Sequence, residues 1–261
     1  ITQGNGSGAA TAISEFVNKY NERNPGKEVL YLNHQAIDPD FTESRCSFWH
    51  FRFDPHVHMR MYALTGHIAR DAAVKKVYLI NQDYSFGHQV EQSAKRYLGA
   101  ARPDIAVVGE ERHPIGRVKD FSPYVAKIKA SGAQAVITGN WGNDLTLLVK
   151  AVKDLGMGVK FYTFYGNALG VPGALGDAGV GSVLAVAEWQ PNIDDQPSRA
   201  FYAAFRQRFP EPAQDYVHAR MQVMVEMMAA AMERAASTDP SAVARSLEGL
   251  RFDGATLGGL H

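Results

Sequence analysis

Short apolar runs alternate along most of the chain with longer stretches in which apolar residues recur every three to four positions. The short runs are typical of buried β-strands, and the longer stretches are typical of α-helices that bury one face. The predicted strands cover residues 28–33, 48–53, 75–80, 105–109, 135–139, 160–164 and 183–187. Regular alternation of strands and helices indicates an α/β fold with a doubly wound parallel sheet.

The pattern changes near residue 190, where helices begin to follow one another without intervening strands. Helices are predicted at about residues 198–209, 216–235 and 240–248, and Asp239 with Pro240 is typical of a helix start. The segment before them, residues 188–197, is polar and ends at a proline. We interpret it as a crossing between two domains.

The chain opens on a glycine-rich stretch, Gln3-Gly4-Asn5-Gly6-Ser7-Gly8, followed by a predicted helix that ends at Asn24-Pro25-Gly26. Backbone N–H groups at a helix start lack intrahelical partners, and the helix dipole favours negative charge there. Ser7 adds a hydroxyl donor. The stretch therefore predicts a small anion site suited to a carboxylate, with an ordinary strand-to-helix turn as the alternative.

Polar and aromatic residues gather where the other predicted strands end. The stretches concerned are residues 33–37, 82–86, 139–144 and 165–168. Ligands of open α/β sheets lie at the carboxyl ends of strands, so these loops predict a binding cleft. Trp141, between two glycine turns, is expected to be exposed there and suits an apolar ligand body. Asp83 and Asp144 would act as general acids or bases, or simply cap helices.

Composition narrows the possible partners. The 261 residues suffice for one large or two medium domains, and a formal net charge of zero argues against nucleic acid or an acidic membrane as partner. Apolar runs are too short to span a bilayer. The glycine spacing does not fit a nucleotide-binding loop, so no cofactor is predicted. No metal site is predicted either, because thiolate clusters need more than one cysteine, and His56 and His58 would diverge on a helix.

The single cysteine, Cys46, permits no intrachain disulfide. It is either a buried thiol or the partner of a cysteine upstream of this chain. The chain begins without Met and without the charged and apolar regions of a signal peptide. We therefore expect an upstream segment.

Several stretches in combination resemble the type I periplasmic binding proteins, in particular the branch that serves branched-chain amino acid ABC transporters. The stretches are residues 3–8, 75–87, 119–125, 138–144, 237–243, 247–250 and 252–254. Together they cover essentially the whole chain. The resemblance implies two Rossmann-like lobes with parallel sheets, joined by a hinge, with the ligand in the cleft between them.

By this resemblance, lobe I would hold residues 1–73 and 191–261, and lobe II would hold residues 74–190. Members of the family continue beyond both ends of this sequence and carry a signal peptide. The resemblance thus implies a chain truncated at both ends, with an incomplete lobe I.

The resemblance also implies a ligand site. Ser7 and the backbone N–H groups of Gly8 and Ala9 would hold the ligand carboxylate. The other contacts would come from Gln35, Ala36 and Ile37 in lobe I and from Tyr84 or Phe86, Asn140 or Trp141, and Tyr165 in lobe II. The family's acidic residue, which pairs with the ligand ammonium, should lie around residues 165–167, where this sequence has no carboxylate.

A buried ammonium without a carboxylate is costly. Either Asp144 or Asp83 substitutes for the absent acid, or the ligand has no ammonium group. Related branches of the family take aromatic or aliphatic carboxylates, which would suit the aromatic strand ends.

The resemblance implies a monomeric, periplasmic solute-binding component of an ABC importer. It would bind a branched-chain amino acid or an aromatic acid by hinge closure and deliver it to the permease, without catalysis. Two other classes stay open. One is a ligand-sensing domain of a receptor or of an amide or amino-acid regulator. The other is an α/β enzyme, for which the sequence offers no convergent nucleophile, acid and base.

Overall fold

The computed structural model describes residues 1–3 and 6–252. Gly4 and Asn5 of the opening stretch lie outside the described residues, as do residues 253 and 254 of the last resembling stretch. The chain divides into two compact units. The first combines Ile1–His56 with Glu188–His261, and the second is Val57–Ala187.

The first unit contains a parallel sheet of three strands in the order β1-β2-β3. Its elements are β1 (Thr2–Gln3), α1 (Ser7–Arg23), β2 (Tyr31–Asn33), β3 (His50–Arg52), α7 (Gln196–Arg208), α8 (Ala219–Ala235) and α9 (Pro240–Leu247), with short 3-10 turns at Pro39–Thr42 and Pro212–Gln214. The sequence had predicted all of these helices and the strands β2 and β3.

The three-stranded sheet is covered on both faces. Successive residues of a strand point to opposite faces, and Tyr31 packs with Ala10 and Val17 of α1, whereas Leu30 packs with Ala231 and other residues of α8 and α9. This two-sided burial explains why β2 reads as a continuous apolar run. Cys46 lies outside these cores and is exposed, so the expectation of a buried thiol is wrong.

The second unit contains a parallel sheet of five strands in the order β5-β4-β6-β7-β8. Its elements are α2 (Val57–Ile68), β4 (Lys76–Gln82), α3 (Ser85–Ala101), β5 (Ala106–His113), α4 (Ser122–Ser131), β6 (Ala135–Thr138), α5 (Asn143–Asp154), β7 (Lys160–Thr163), α6 (Val171–Leu175) and β8 (Val183–Ala185). The α/β fold with parallel sheets is confirmed. Two details differ from expectation: β5 extends four residues beyond its predicted end at residue 109, and α6 was not predicted.

The core of the second unit lies between its sheet and the helices α4 and α5. Ile80, Val136 and Phe161 from three neighbouring strands pack against Val125 and Leu148 from these helices. Helix α2 packs against α3 in this unit, and His58 Nδ1 lies 2.8 Å from Ser93 Oγ. The family resemblance implied that residues 57–73 belong to lobe I, and the lobe boundaries of the complete protein stay a prediction.

A buried ion cluster in the first unit holds the two segments at which the chain leaves and re-enters it. Arg220 of α8 pairs with Glu188 and lies 3.7 Å from Asp54 Oδ2. Burial, and then the charge of Arg220, lowers the pKa values of His34 and His218. Both imidazoles are therefore neutral near pH 7 and add no positive charge to the cluster.

Within residues 1–3 and 6–252, no helix combines the length and the apolar character needed to cross a bilayer.

The close approach of α3 to β4 gives a stability prediction. A Cβ at Gly87 would lie 1.9 Å from the backbone oxygen of Gln82, whereas a Cβ at Gly99 of the same helix would meet nothing within 4 Å. We expect Gly87→Ala to lower the free energy of unfolding by about 2 kcal/mol or more, because backbone must shift. Gly99→Ala should be neutral or stabilising by up to about 1 kcal/mol, since alanine favours helix.

Urea denaturation of wild type and both variants measures the difference. Equal stability of the Gly87→Ala and Gly99→Ala proteins would contradict the close packing of α3 on the end of β4.

Candidate functional site

Helix α1 begins with features that suit an anion. Gly6 precedes the helix with φ 86°, a conformation that favours glycine, and no acidic residue lies in the first turn. Ser7 is buried, while Gly8 and Ala9 are exposed. The first N–H groups of a helix have no intrahelical acceptor, and no nearby carboxylate in the first turn offsets the positive end of the helix dipole.

The loop after β2 carries Gln35, Ala36 and Ile37 and is shaped by one buried side chain. Asn33 Oδ1 accepts hydrogen bonds from the backbone N–H groups of Gln35 at 3.1 Å and Ala36 at 2.8 Å. Asn33 Nδ2 donates to the Ala36 carbonyl at 2.8 Å. Ala36 and Ile37 are buried, and Gln35 is half-buried. Among these three residues, Gln35 presents the most side-chain surface.

His50 supports Asn33 from the neighbouring strand. His50 Nε2 lies 3.2 Å from Asn33 Nδ2. The orientation of the Asn33 amide is fixed, because its Oδ1 accepts hydrogen bonds from two backbone N–H groups. Burial lowers the pKa of His50 to about 4, so the ring is neutral near pH 7 and Nε2 can accept the amide hydrogen. No local sequence pattern signals this role of His50, because the contact depends on the pairing of β2 with β3.

Arg45 joins the same loop region to the first helix. It donates to Thr11 Oγ1 at 3.0 Å and to Asp38 Oδ2 at 3.1 Å, and the Thr11 hydroxyl donates to the Ser7 carbonyl at 3.0 Å. A chain of hydrogen bonds therefore links Ser7 to Asp38, the residue that follows Ile37.

Tyr84 and Trp141 come together in the second unit, although they follow different strands. Trp141 Nε1 donates to Tyr84 Oη at 2.9 Å, and both side chains are half-buried. Trp141 is thus less exposed than its flanking glycines suggested. The pair forms an amphipathic surface at the carboxyl edge of the second sheet.

Phe86 and Tyr165 form an aromatic group next to this pair. The Phe86 ring is buried and lies 6.0 Å from the Tyr165 ring and 5.7 Å from the Tyr84 ring, measured between centroids. Arg60 lies over the Tyr165 ring at 5.8 Å. Of the two alternatives for closing over a ligand, Tyr84 is the more accessible and Phe86 packs beneath it.

Asn140 and Asp144 belong to a buried polar network that the sequence only partly indicated. Asn140 Nδ2 lies 2.8 Å from His113 Nε2. Asp144 Oδ2 accepts from Gln82 Nε2 at 2.7 Å and from the Gly116 N–H at 2.8 Å. Asp144 is therefore not a helix cap, and the residue before α5 is Gly142. Neither His113 nor Gln82 was named as a ligand contact: His113 lies beyond the predicted end of β5, and Gln82 was placed only within the strand-end stretch 82–86.

At Gly166, one of the positions around which the family's acidic residue was expected, a larger side chain would not fit. A Cβ at Gly166 would lie 2.6 Å from Thr163 Oγ1 and 2.7 Å from Val183 Cγ1. Asp83 is exposed and pairs with His88 at 2.7 Å, so its carboxylate is already engaged at the surface. Asp144 is the buried carboxylate of the two candidates.

The described part of the chain contains no group of three or more His, Cys, Asp or Glu side chains placed to hold a metal ion.

Comparison with known proteins identifies the family. A sequence profile described as periplasmic binding protein matches residues 1–260. The chain is 40% identical over 205 residues to the Leu/Ile/Val-binding protein homolog 4 of Brucella abortus, an alignment that covers 77% of this chain and 48% of that protein. This chain thus spans about half the length of that relative.

Solved structures agree with the sequence relatives. The closed conformation of a leucine-, isoleucine-, valine-, threonine- and alanine-binding protein from Brucella ovis matches with a TM-score of 0.89 and 32% identity, covering 99% of this chain and 66% of that one. A solute-binding protein of an ABC transporter from R. palustris, in complex with benzoate, matches with a TM-score of 0.82 and 17% identity. The match covers 97% of this chain and 67% of that one. At that identity, the second match shows a shared fold alone.

The profile match over nearly the whole chain and the relative at 40% identity lead to one conclusion. The chain belongs to the periplasmic binding protein family.

Proposed function

We propose that the complete protein is the solute-binding component of an ABC importer and works in the periplasm. It binds a small carboxylate and passes it to the permease without breaking a bond. The family supports this proposal, as does the Brucella relative named for binding leucine, isoleucine and valine. Because this chain spans 48% of that relative, the activity, substrate and partners of the complete protein are part of the proposal.

The observation that carries the proposal is the start of α1. Ser7 supplies a buried hydroxyl, and the next two residues, Gly8 and Ala9, are exposed. The first turn of the helix contains no acidic residue. These are the properties that stabilise a carboxylate at a helix N-terminus. An anion there would accept hydrogen bonds from groups that the helix itself leaves without partners.

Residues of the second unit would contact the rest of the ligand. The Tyr84 and Trp141 pair offers aromatic surface with polar ends, and such surface suits a short aliphatic or aromatic ligand body. Phe86 and Tyr165 would support that surface from below rather than cover the ligand. We propose that ligand binding favours a closed form of the protein, which the permease recognises.

A thermal-shift experiment on the full-length protein tests the proposal. L-leucine and benzoate are the probes, and L-leucinamide, which lacks a carboxylate, is the matched control. Ligand at about one hundred times its Kd should stabilise the protein by roughly 2.7 kcal/mol, and leucinamide should give no shift. The absence of a shift with every carboxylate, or an equal shift with leucinamide, would contradict it.

Substitution of Ser7 tests the location of the carboxylate. We expect Ser7→Ala to weaken binding of the carboxylate probe by about tenfold or more, because a hydrogen bond to a charged group is lost. Ser14→Ala is the control, since Ser14 is a buried serine two turns further along the same helix. Isothermal titration calorimetry gives both affinities. If the two variants bind equally well, Ser7 is not part of the site.

A further inference from the structure

Arg220, Asp54 and Glu188 form an ion cluster inside the first unit. Arg220 and Asp54 are 5% and 4% exposed, and the side chain of Glu188 is 12% exposed. Removing charged groups from water is costly, and a buried ion pair often stabilises a fold no better than apolar residues of similar volume. Stability alone therefore does not explain the cluster, and its position in the chain points to a second role.

The two acidic residues lie where the chain passes between the units. The first unit ends at His56, two residues after Asp54, and it resumes at Glu188. Arg220 Nε lies 3.7 Å from Asp54 Oδ2, and Arg220 Nη1 donates to Glu188 Oε1. One guanidinium thus contacts, from within the first unit, both connections that the described part of the chain contains.

The first connection is short and is held at both ends. In the first unit, Arg220 contacts the Asp54 side chain, and Arg52 Nε donates to the Asp54 carbonyl at 3.1 Å. In the second unit, α2 begins at Val57, whose side chain is completely buried. Residues 55 and 56 are therefore all that separates the two held ends.

The second connection is shorter still. In the second unit, the Val186 N–H donates to the Thr163 carbonyl at 3.0 Å, just beyond the paired residues of β7 and β8. In the first unit, Glu188 belongs to the ion cluster, and Trp189 is buried in an apolar cluster with residues of the same unit. This arrangement leaves Ala187 between the two held ends.

We propose that Arg220 is the positioning residue of a hinge. It holds both connections at one point of the first unit, so that motion of one unit relative to the other is confined to bending at residues 55–56 and 187. The inference rests on the proposed function, because ligand-driven closure is the motion that such a hinge serves. The competing explanation is that the ion cluster only stabilises the fold of the first unit.

Hydrogen–deuterium exchange of the ligand-free, full-length protein tests the inference. In Arg220→Met, the amides of residues 54, 56 and 187–189 should exchange at least about tenfold faster than in wild type, because both connections lose the same contact. Exchange in β2, at residues 31–33, should stay within about twofold. Arg234→Met is the control and should change neither connection, since Arg234 lies in the same helix and donates to the Ser246 carbonyl at 3.4 Å.

A second variant keeps the test valid if Arg220→Met does not fold. Arg220→Met leaves two buried carboxylates without this partner, which is strongly unfavourable. Combining it with Asp54→Asn and Glu188→Gln removes all three charges of the cluster. The triple variant should show the same faster exchange at both connections, and thermal unfolding verifies that each variant folds.

The pattern of exchange decides between the two explanations. Faster exchange at one connection alone would overturn the shared role of Arg220. An equal increase in β2 would overturn the inference and favour a cluster that only stabilises the first unit. Unchanged exchange at both connections would overturn it as well.

Affinity measurements relate the hinge to closure, with L-leucine and benzoate as probes. For each probe that stabilises wild type, Arg220→Met should weaken binding by about fivefold or more, because looser connections must be ordered on closure. Faster exchange with unchanged affinity would overturn the role in closure. Weaker binding without faster exchange would mark Arg220 as a ligand contact and overturn the hinge. Binding of neither probe by wild type would contradict the proposed function, and the exchange experiment would still decide the role of Arg220.

Discussion

Buried polar groups at the carboxyl ends of the parallel strands must find hydrogen-bond partners, and this requirement organises both units. In the first unit, Asn33 Oδ1 accepts hydrogen bonds from two backbone N–H groups of the loop that follows β2. In the second, Asn81 Oδ1 accepts from the Gly139 N–H at 2.8 Å and so fixes the end of β6. Each buried donor or acceptor left without a partner costs about 1–3 kcal/mol, so these loops have little freedom to rearrange.

The same requirement explains a contrast between the two units. The start of α1 offers donors and the positive end of a dipole, without acid in the first turn. The edge of the second sheet offers acceptors and the charge of Asp144. The start of α1 is thus suited to a negative group, whereas the edge of the second sheet carries negative charge.

The sequence predicts the order of the strands and helices well, because periodicity is strong where both faces of a sheet are covered. The run from Val77 to Ile80 is apolar on both faces, and its strand was found within two residues at each end. The end of β5 was missed because residues 110–113 are polar, a composition that a strand tolerates at the edge of a sheet. The opening helix was recognised from its spacing and its proline stop.

Side-chain partners could not be predicted in the same way. The Gly116 N–H that bonds Asp144 comes from a turn 28 residues earlier in the chain, and no local pattern signals such a contact. Phe86 and Tyr84 are nearly adjacent in sequence, yet one is buried and the other half-buried. Only the packed structure distinguishes a residue that supports the site from one that is accessible to a ligand.

Hydrogen–deuterium exchange of the full-length protein with and without saturating L-leucine tests the central claim most directly. The account predicts slower amide exchange in two separate segments, the first turn of α1 at residues 7–10 and the loop at residues 140–144 that begins α5. Leucine that binds without slowing exchange at residues 7–10 would contradict a carboxylate site at the start of α1.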